Sequence, residues 1–190
     1  LSFKYSPKYF KMLGNIMKVL LIQPPVRVDI DPCDIPAGIA ILSSIAIEEG
    51  HQVALLDLNS SRPIPSLRDS AKQIAVEKWD IIAISGLSSM YKDIKKLLYI
   101  SRKTNPDALI VCGGGFITYM PDKIMKLNPE IDLGVIGEGE ATWREILQKF
   151  DSKDWKSIKG ICYKEENQII YTEPRPLIPD LDVIPYPAYD

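Results

Sequence analysis

Three segments of the chain are rich in glycine and small hydroxyl side chains. They are Ser85-Gly86-Leu87-Ser88-Ser89, Cys112-Gly113-Gly114-Gly115-Phe116-Ile117-Thr118 and Gly137-Glu138-Gly139-Glu140. Glycine lets a ligand approach the backbone closely, and small hydroxyls donate hydrogen bonds without filling space. Each segment alone is also compatible with an ordinary turn. Together they suit a large, flat or elongated ligand that contacts several loops.

The sequence disfavours two other kinds of domain. Gly113-Gly114-Gly115 lacks both the GxGxxG spacing of dinucleotide folds and the Lys-Ser/Thr of a phosphate loop. Asp57 could hold a ribose, but the glycine fingerprint should then follow the first predicted strand, and it does not. A nicotinamide-binding domain is therefore disfavoured. A phosphorelay receiver is disfavoured too, because no acidic cluster follows the first strand and no Asp ends the third.

The other reactive side chains are predicted to be structural. Cys33, Cys112 and Cys162 lie far apart, without metal-site spacing, and read as separate reduced thiols of a cytoplasmic protein. His51, the single histidine, reads as a solvated loop residue. Glu138 and Glu140 could form an acid pair, but acids are also favoured at a helix N-terminus, which is the interpretation we prefer here.

Five strand–helix alternations position these segments. The predicted strands are short apolar runs, and each is followed by a helical pattern: Lys18–Ile22, Val53–Leu56, Ile81–Ile84, Leu109–Val111 and Leu133–Ile136. Such alternation predicts an α/β fold with a doubly wound, five-stranded parallel sheet in the flavodoxin-like order 2-1-3-4-5. Ligands of such sheets bind beyond the carboxyl ends of the strands, which is where the glycine-rich segments fall.

The pattern changes after Phe150. Residues 160–164 and 168–172 predict a β-hairpin, and Pro174 to Asp190 predicts a Pro-rich linker or a strap. We therefore expect a leader or flexible N-terminus at 1–16, a Rossmann-like domain at 17–150, and a hairpin with linker at 151–190. A net charge of −2 and apolar runs far shorter than a bilayer span give no reason to expect a nucleic-acid or membrane partner.

Eight motifs follow one another over residues 17–190: QPP, PAGIAILSSIAIEEGH, DLN, SGLSSMY, CGGGFITYMP, IGEGEAT, KGICYK and LDVIPYPAYD. The combination of GGG-F-x-T, GEGE-x-T and D-L-D-x-I-P-x-P-A is specific, although no single piece is. In these motifs the chain resembles the N-terminal cobalamin-binding domain of cobalamin-dependent radical SAM proteins. The resemblance implies a cofactor-binding domain, with cobalamin over the strand edge and its nucleotide tail beside the sheet. Methyl transfer or other cobalamin-assisted radical chemistry would belong to the full-length protein.

The resemblance also implies which residues contact the cofactor. These are Pro25, Gly38, Ser85, Gly86, Leu87, Ser88, Ser89, Gly113, Gly114, Gly115, Phe116, Thr118, Gly137, Glu138 and Gly139. The partner would be a radical SAM barrel of the same polypeptide, which would hold S-adenosylmethionine and a [4Fe-4S] cluster. Catalytic residues are not expected within these 190 residues.

Two departures from related proteins qualify these expectations. Other cobalamin domains carry DxHxxG after the first strand, whose histidine ligates cobalt, whereas this chain has no histidine between Gln23 and Ile30. We therefore expect cobalt to be held through the corrin without a histidine ligand. The cluster-binding CxxxCxxC motif is also missing from the sequence.

The alternative is a flavodoxin-like binding or interaction module without cobalamin, or with another flat ligand such as a flavin. Phe116, Tyr119 and Met120 facing the strand ends would favour it. A Rossmann-type transferase would need a base or metal that the sequence does not reveal.

Overall fold

The computed structural model describes residues 3–5, 15–26, 31, 36–166 and 168–189. The strands are β1 (Phe3–Tyr5), β2 (Lys18–Gln23), β3 (Gln52–Asp57), β4 (Ile81–Ser85), β5 (Leu109–Gly113), β6 (Leu133–Val135), β7 (Ile161–Glu165) and β8 (Gln168–Tyr171). The helices are α1 (Ala37–Glu48), α2 (Leu67–Ile74), α3 (Tyr91–Thr104), α4 (Gly115–Thr118), α5 (Pro121–Leu127) and α6 (Glu140–Gln148). Cys33 and most of the predicted leader lie outside the described residues.

The strands form one mixed sheet in the order β1-β3-β2-β4-β5-β6-β7-β8. Strands β2 to β6 pair in parallel, in the predicted order 2-1-3-4-5. In β2, the four residues from Val19 to Ile22 are buried, as expected of a strand that is covered on both faces. The sheet therefore places the carboxyl ends of all five parallel strands at a single edge.

The prediction of a five-stranded sheet was wrong, since the described residues form eight strands. β1 pairs antiparallel with β3, within the segment predicted as a leader. The predicted hairpin forms as β7 and β8, but β7 pairs antiparallel with β6 and extends the sheet. The physical reason is burial: Ile161, Cys162 and Tyr163 are buried, and pairing satisfies backbone groups that β6 would otherwise expose at an edge.

Helices cover the two faces of the sheet unequally. α1 and α6 pack on one face, and α2 to α5 pack on the other. α3 faces the sheet with one stripe of buried side chains, which are Ile94, Leu97, Leu98 and Ser101. α4 was predicted as part of a loop; it is a single turn, too short to show a helical period. None of the helices that the structure describes is both long and apolar enough to cross a bilayer.

The Pro-rich segment forms a strap (residues 174–189) that packs against the domain itself. The Arg175 Nε donates to Thr142 Oγ1 at 2.7 Å on α6. Further along, the backbone N–H of Ala188 donates to Ala40 O at 3.1 Å, and the Ser44 hydroxyl donates to Tyr186 O at 2.6 Å. The strap therefore runs from α6 to α1 on the face that these two helices cover.

Candidate functional site

A cavity of about 200 Å³ lies at the carboxyl edge of the sheet, between the strands and helices α1 and α6. We call it the carboxyl-edge cavity. Its base is apolar and its sides are formed by both helices; the side chains concerned are Leu21, Ala83, Val111 and Val135 from the strands, Ile39 and Leu42 from α1, and Trp143 from α6. The strand ends contribute small residues, so that the cavity is apolar inside and lined by backbone at its rim.

The cavity exists because side chains become smaller along one face of two neighbouring strands. Alternate residues of a strand share a face. On the face toward α1 and α6, β4 presents Ile81, then Ala83, then Ser85, and β5 ends with Val111 and then Gly113. On the opposite face the last residues of β4 and β5 are Ile84 and Cys112, each larger than its neighbour Ser85 or Gly113. The local sequence therefore opens space on one face only.

Two glycines of the rim face open space. A Cβ atom added to Gly38, in the first turn of α1, would meet no heavy atom within 4 Å, and the same holds for Gly137. Gly137 has a φ of +80°, a conformation that side chains rarely adopt. Its backbone N–H donates to Thr118 Oγ1 at 3.1 Å, so Thr118 holds this loop in place.

Gly114 serves a close approach between two loops. Its φ is +73°, and an added Cβ would lie 2.7 Å from Gly86 O and 3.0 Å from Ser85 Oγ. The neighbouring Phe116 N–H donates to Gly86 O at 2.9 Å. The glycines of the loops after β4 and β5 thus fit against each other, and they fix the shape of the edge.

Seven of the residues predicted to contact a cofactor line the carboxyl-edge cavity. They are Gly38, Ser85, Gly113, Gly114, Gly137, Glu138 and Gly139. The others lie elsewhere. Leu87, Ser88 and Ser89 are exposed on the adjoining loop, and Gly86 and Gly115 lie between the loops. Pro25 is buried outside the cavity lining, Thr118 supports Gly137, and Phe116 is fully buried on the opposite face. Their predicted contacts with the cofactor stay predictions.

The apolar base and sides of the cavity were missed by the sequence analysis. Trp143 is buried, and its indole N–H donates to Leu42 O at 3.0 Å. That bond joins α1 to α6 behind the cavity. The signal for the base was present in the period-2 decrease of side-chain size, but the signal for the sides was not, because it depends on how far apart two distant helices pack.

Acidic groups stand at the rim, and the strap reaches them. The Glu138 carboxylate accepts a hydrogen bond from the Ile178 N–H at 2.7 Å. Glu140 begins α6, where an acid interacts favourably with the helix dipole. The strap therefore contacts the cavity through Glu138, a residue that lines it.

The thiols and the histidine lie away from this site. Cys112 is fully buried on the opposite face, and burial raises the pKa of its thiol far above the usual range. Burial also raises the pKa of Cys162 to about 11, so neither thiol is a ready nucleophile. His51 precedes β3 at the other end of the sheet, where its Nδ1 accepts from the Met17 N–H at 3.4 Å.

Comparisons with known proteins agree with this geometry. A family model described as the B12 binding domain matches residues 25–147. Over 181 residues the chain is 33% identical to an uncharacterised methyltransferase of Pyrococcus horikoshii, covering 93% of this chain and 39% of that protein. It is 31% identical over 178 residues to an anaerobic magnesium-protoporphyrin IX monomethyl ester cyclase of Synechocystis sp., covering 88% and 34%. The chain thus spans well under half the length of these relatives.

One solved structure shows the same fold. It is the radical S-adenosylmethionine methyltransferase TsrM from Kitasatospora setae, with cobalamin and a [4Fe-4S] cluster bound. The TM-score is 0.72 at 20% sequence identity, and the match covers 90% of this chain and 31% of the TsrM chain.

Proposed function

Because this chain belongs to the B12-binding domain family, we propose that it binds cobalamin at the carboxyl edge of its sheet and serves as the cofactor domain of a radical SAM enzyme. The observation that carries this proposal is the carboxyl-edge cavity, with an apolar base and a glycine rim. Bound cobalamin would supply a cobalt centre able to carry a methyl group or to exchange electrons.

The residues present fit this cofactor in two parts. A cavity of about 200 Å³ is far too small for a corrin ring with its side chains, but it can accept the planar base at the end of the nucleotide tail. Leu21, Ala83 and Val111 offer that base an apolar surface, and Trp143 closes the far side. The corrin would then lie outside the cavity, over the loops that follow β4, β5 and β6.

The loops offer the corrin backbone and hydroxyl groups rather than bulky side chains. Ser85, Gly113 and Gly137 stand at the rim, where the lack of large side chains lets a ring approach the backbone and the Ser85 hydroxyl can bond an amide side chain of a corrin. Leu87 is half exposed on the first loop and can pack against the ring. These loops would therefore position the ring at the carboxyl edge of the sheet.

Cobalt would have no histidine ligand from the described part of this chain. His51 precedes β3, whereas the cavity lies beyond the carboxyl ends of the strands. Six residues of strand at about 3.3 Å each separate the two ends. We therefore propose that the cofactor binds without coordination by His51.

The whole protein is proposed to combine this domain with a radical SAM barrel. The relatives it matches are longer, and they are named as a methyltransferase and a cyclase. In such a protein the barrel would bind S-adenosylmethionine and a [4Fe-4S] cluster, and the corrin would face it. Methyl transfer is the favoured activity, with another cobalamin-assisted radical reaction as the alternative.

Cobalamin binding can be tested by absorbance. The 190-residue chain is incubated anaerobically with hydroxocobalamin, passed through gel filtration and examined for a corrin spectrum. We expect stoichiometric co-elution. Gly38→Trp should reduce the affinity about 10- to 100-fold, because its side chain enters the open space that the tail would occupy.

Ala37→Trp is the matched control, since Ala37 is exposed in the same helical turn and does not line the cavity. It should bind as the unmodified chain does. Unchanged affinity of Gly38→Trp would mean that the tail does not enter the cavity. Retention of flavin mononucleotide in place of cobalamin would favour the alternative of a flavodoxin-like module.

A further inference from the structure

A second cleft, of about 370 Å³, lies at the opposite edge of the sheet, and we call it the amino-edge cleft. Leu109 and Leu133, the first residues of β5 and β6, form part of its lining. Phe150 and Trp155, from the segment after α6, are partly buried and contribute two aromatic rings. The cleft shares no lining residue with the carboxyl-edge cavity.

The amino-edge cleft contains a buried hydroxyl group that lacks a hydrogen bond. Tyr163 lines the cleft and is 6% exposed. Within the part of the chain that the structure describes, its hydroxyl finds no partner. Buried polar groups are normally hydrogen-bonded, and an unpaired one is destabilising. The hydroxyl thus keeps an unused donor and acceptor beside the cleft.

One cation at the cleft has no acidic partner among the described residues. Arg102 binds Asp132 at 2.6 Å, and the ammonium of Lys164 donates to Asn128 O and Ile131 O. Asp132 and Glu130 also act electrostatically on Lys164. Lys153 is exposed at the cleft, and its ammonium forms no ion pair within the described part of the chain, so it can attract a ligand with one negative charge.

The turn that carries Lys153 has an uncommon backbone conformation. The φ of Lys153 is +53°, a value that residues with a Cβ atom seldom adopt. Its backbone is fixed on both sides, since the N–H donates to Lys149 O and the carbonyl accepts from the Trp155 N–H, each at 2.8 Å. The same turn therefore sets both the ammonium of Lys153 and the ring of Trp155 at the cleft.

We propose that the amino-edge cleft binds a small hydroxy-aromatic carboxylate. The ring packs against Phe150 and Trp155, and its neutral hydroxyl bonds the Tyr163 hydroxyl inside the cleft. The carboxylate faces outward, toward Lys153. This orientation follows from desolvation, because burying a carboxylate without a paired charge costs far more than burying a hydroxyl that is hydrogen-bonded.

Three probes separate the contributions of the two ends of the ligand. Binding of 4-hydroxybenzoate, benzoate and phenol to the 190-residue chain is measured by calorimetry, and the site is located by backbone amide chemical shifts. We expect 4-hydroxybenzoate to bind about 10-fold more tightly than benzoate, which lacks the inner hydroxyl. Phenol, which lacks the carboxylate, should also bind more weakly. Shifts should concentrate at residues 107–109, 131–133, 150–155 and 163.

Two variants identify the contacts. Tyr163→Phe keeps the ring and removes the hydroxyl, so it should bind 4-hydroxybenzoate and benzoate equally, and its thermal midpoint should not fall. Lys153→Gln should weaken both carboxylates by a similar factor of about two to five and leave phenol unchanged. Lys123→Gln is the control, because Lys123 is exposed on α5 and does not line the cleft.

The proposal is overturned if the three probes bind equally, if shifts spread over the surface, or if Tyr163→Phe retains the preference for the hydroxyl. A crystal structure with only a water molecule on the Tyr163 hydroxyl in the presence of 4-hydroxybenzoate would also overturn it. Addition of cobalamin should leave these affinities unchanged, so the result is independent of the proposed function.

Discussion

The two faces of the sheet differ at its carboxyl edge although the same strands form both. On the face toward α2 to α5, Met90, Ile94 and Phe116 are buried against the strand ends. On the face toward α1 and α6, the strands end in Ser85 and Gly113 and a cavity remains. The presence of a cavity at the carboxyl edge therefore depends on the residues of each face separately.

The difference shows that small residues have two separate uses here. Gly86 and Gly114 are small because other parts of the protein approach them: an added Cβ would lie 2.9 Å from Ile94 Cδ1 at Gly86, and 2.7 Å from Gly86 O at Gly114. Gly38 and Gly137 face open space instead. Only the second kind leaves room for a ligand, and a sequence shows both kinds as the same letter.

The largest expected effect tests the face toward α2 to α5, which we call the filled face. Phe116→Ala removes a fully buried ring and should lower the free energy of unfolding by about 3–5 kcal/mol. The loss should appear as a lower urea midpoint. Because Phe116 lies on the face opposite the cavity, Phe116→Leu, a milder change, should keep cobalamin affinity within about twofold.

Phe116 was among the residues that the resemblance assigned to the cofactor, so this experiment tests whether only one face of the sheet serves the cofactor. If Phe116→Leu loses cobalamin while its urea midpoint stays close to that of the unmodified chain, the ring acts on the cofactor and the two faces are not separate. Circular dichroism of both variants at the binding temperature establishes that the fold is present.

A pair of glycine substitutions compares the space available on the two faces. Gly134→Ala, on the filled face, places a Cβ 2.7 Å from Cys162 Sγ and 3.2 Å from Ile117 Cγ2, and should cost about 1–3 kcal/mol through overpacking. Gly113→Ala, on the cavity face, meets only Val135 Cβ, at 3.8 Å. It should be neutral or stabilise by about 0.4–1 kcal/mol, because alanine restricts the unfolded chain.

Urea unfolding of the two variants gives this difference directly. Cobalamin titration should show the reverse ranking, with a weaker affinity for Gly113→Ala at the rim and little change for folded Gly134→Ala. Equal destabilisation by both substitutions would mean that the cavity closes in solution.

Local patterns in the sequence were sufficient for the parallel part of the fold. Three features depend only on neighbours in sequence: the apolar runs of the five parallel strands, the buried stripe of α3, and Ser66, whose Oγ caps α2 by accepting from the Asp69 N–H. The edge that carries the glycine-rich loops followed from the strand order alone. That part of the prediction needed no tertiary contact.

The rest depended on contacts between distant residues. The sides of the cavity require α1 and α6 to be held together, through Trp143 Nε1 to Leu42 O and through Arg144 to Glu48 and Glu49. The joining of β7 to the sheet depends on pairing with β6 across more than twenty residues of chain. The position of the strap was undecided for the same reason, since its partner Glu138 is forty residues away.

The smallest expected effect concerns the single histidine, at the end of the sheet remote from the cavity. Burial lowers the pKa of His51 below its usual 6.5, although Glu49, Asp80 and Asp151 act in the opposite direction. The unfolded chain then binds this proton more readily than the folded one, so stability is full above pH 6.5 and falls as the pH drops below it. The urea midpoint should decrease between pH 7.5 and 5.5, and His51→Asn should remove the part of the decrease that the imidazole causes. The decrease that remains in the variant is due to carboxyl groups, and it is subtracted from that of the unmodified chain. The absorbance spectrum of bound cobalamin should stay the same across this range in both proteins. A spectrum that changes with pH only when His51 is present would show the imidazole on cobalt, and would end the separation between the histidine and the cofactor edge.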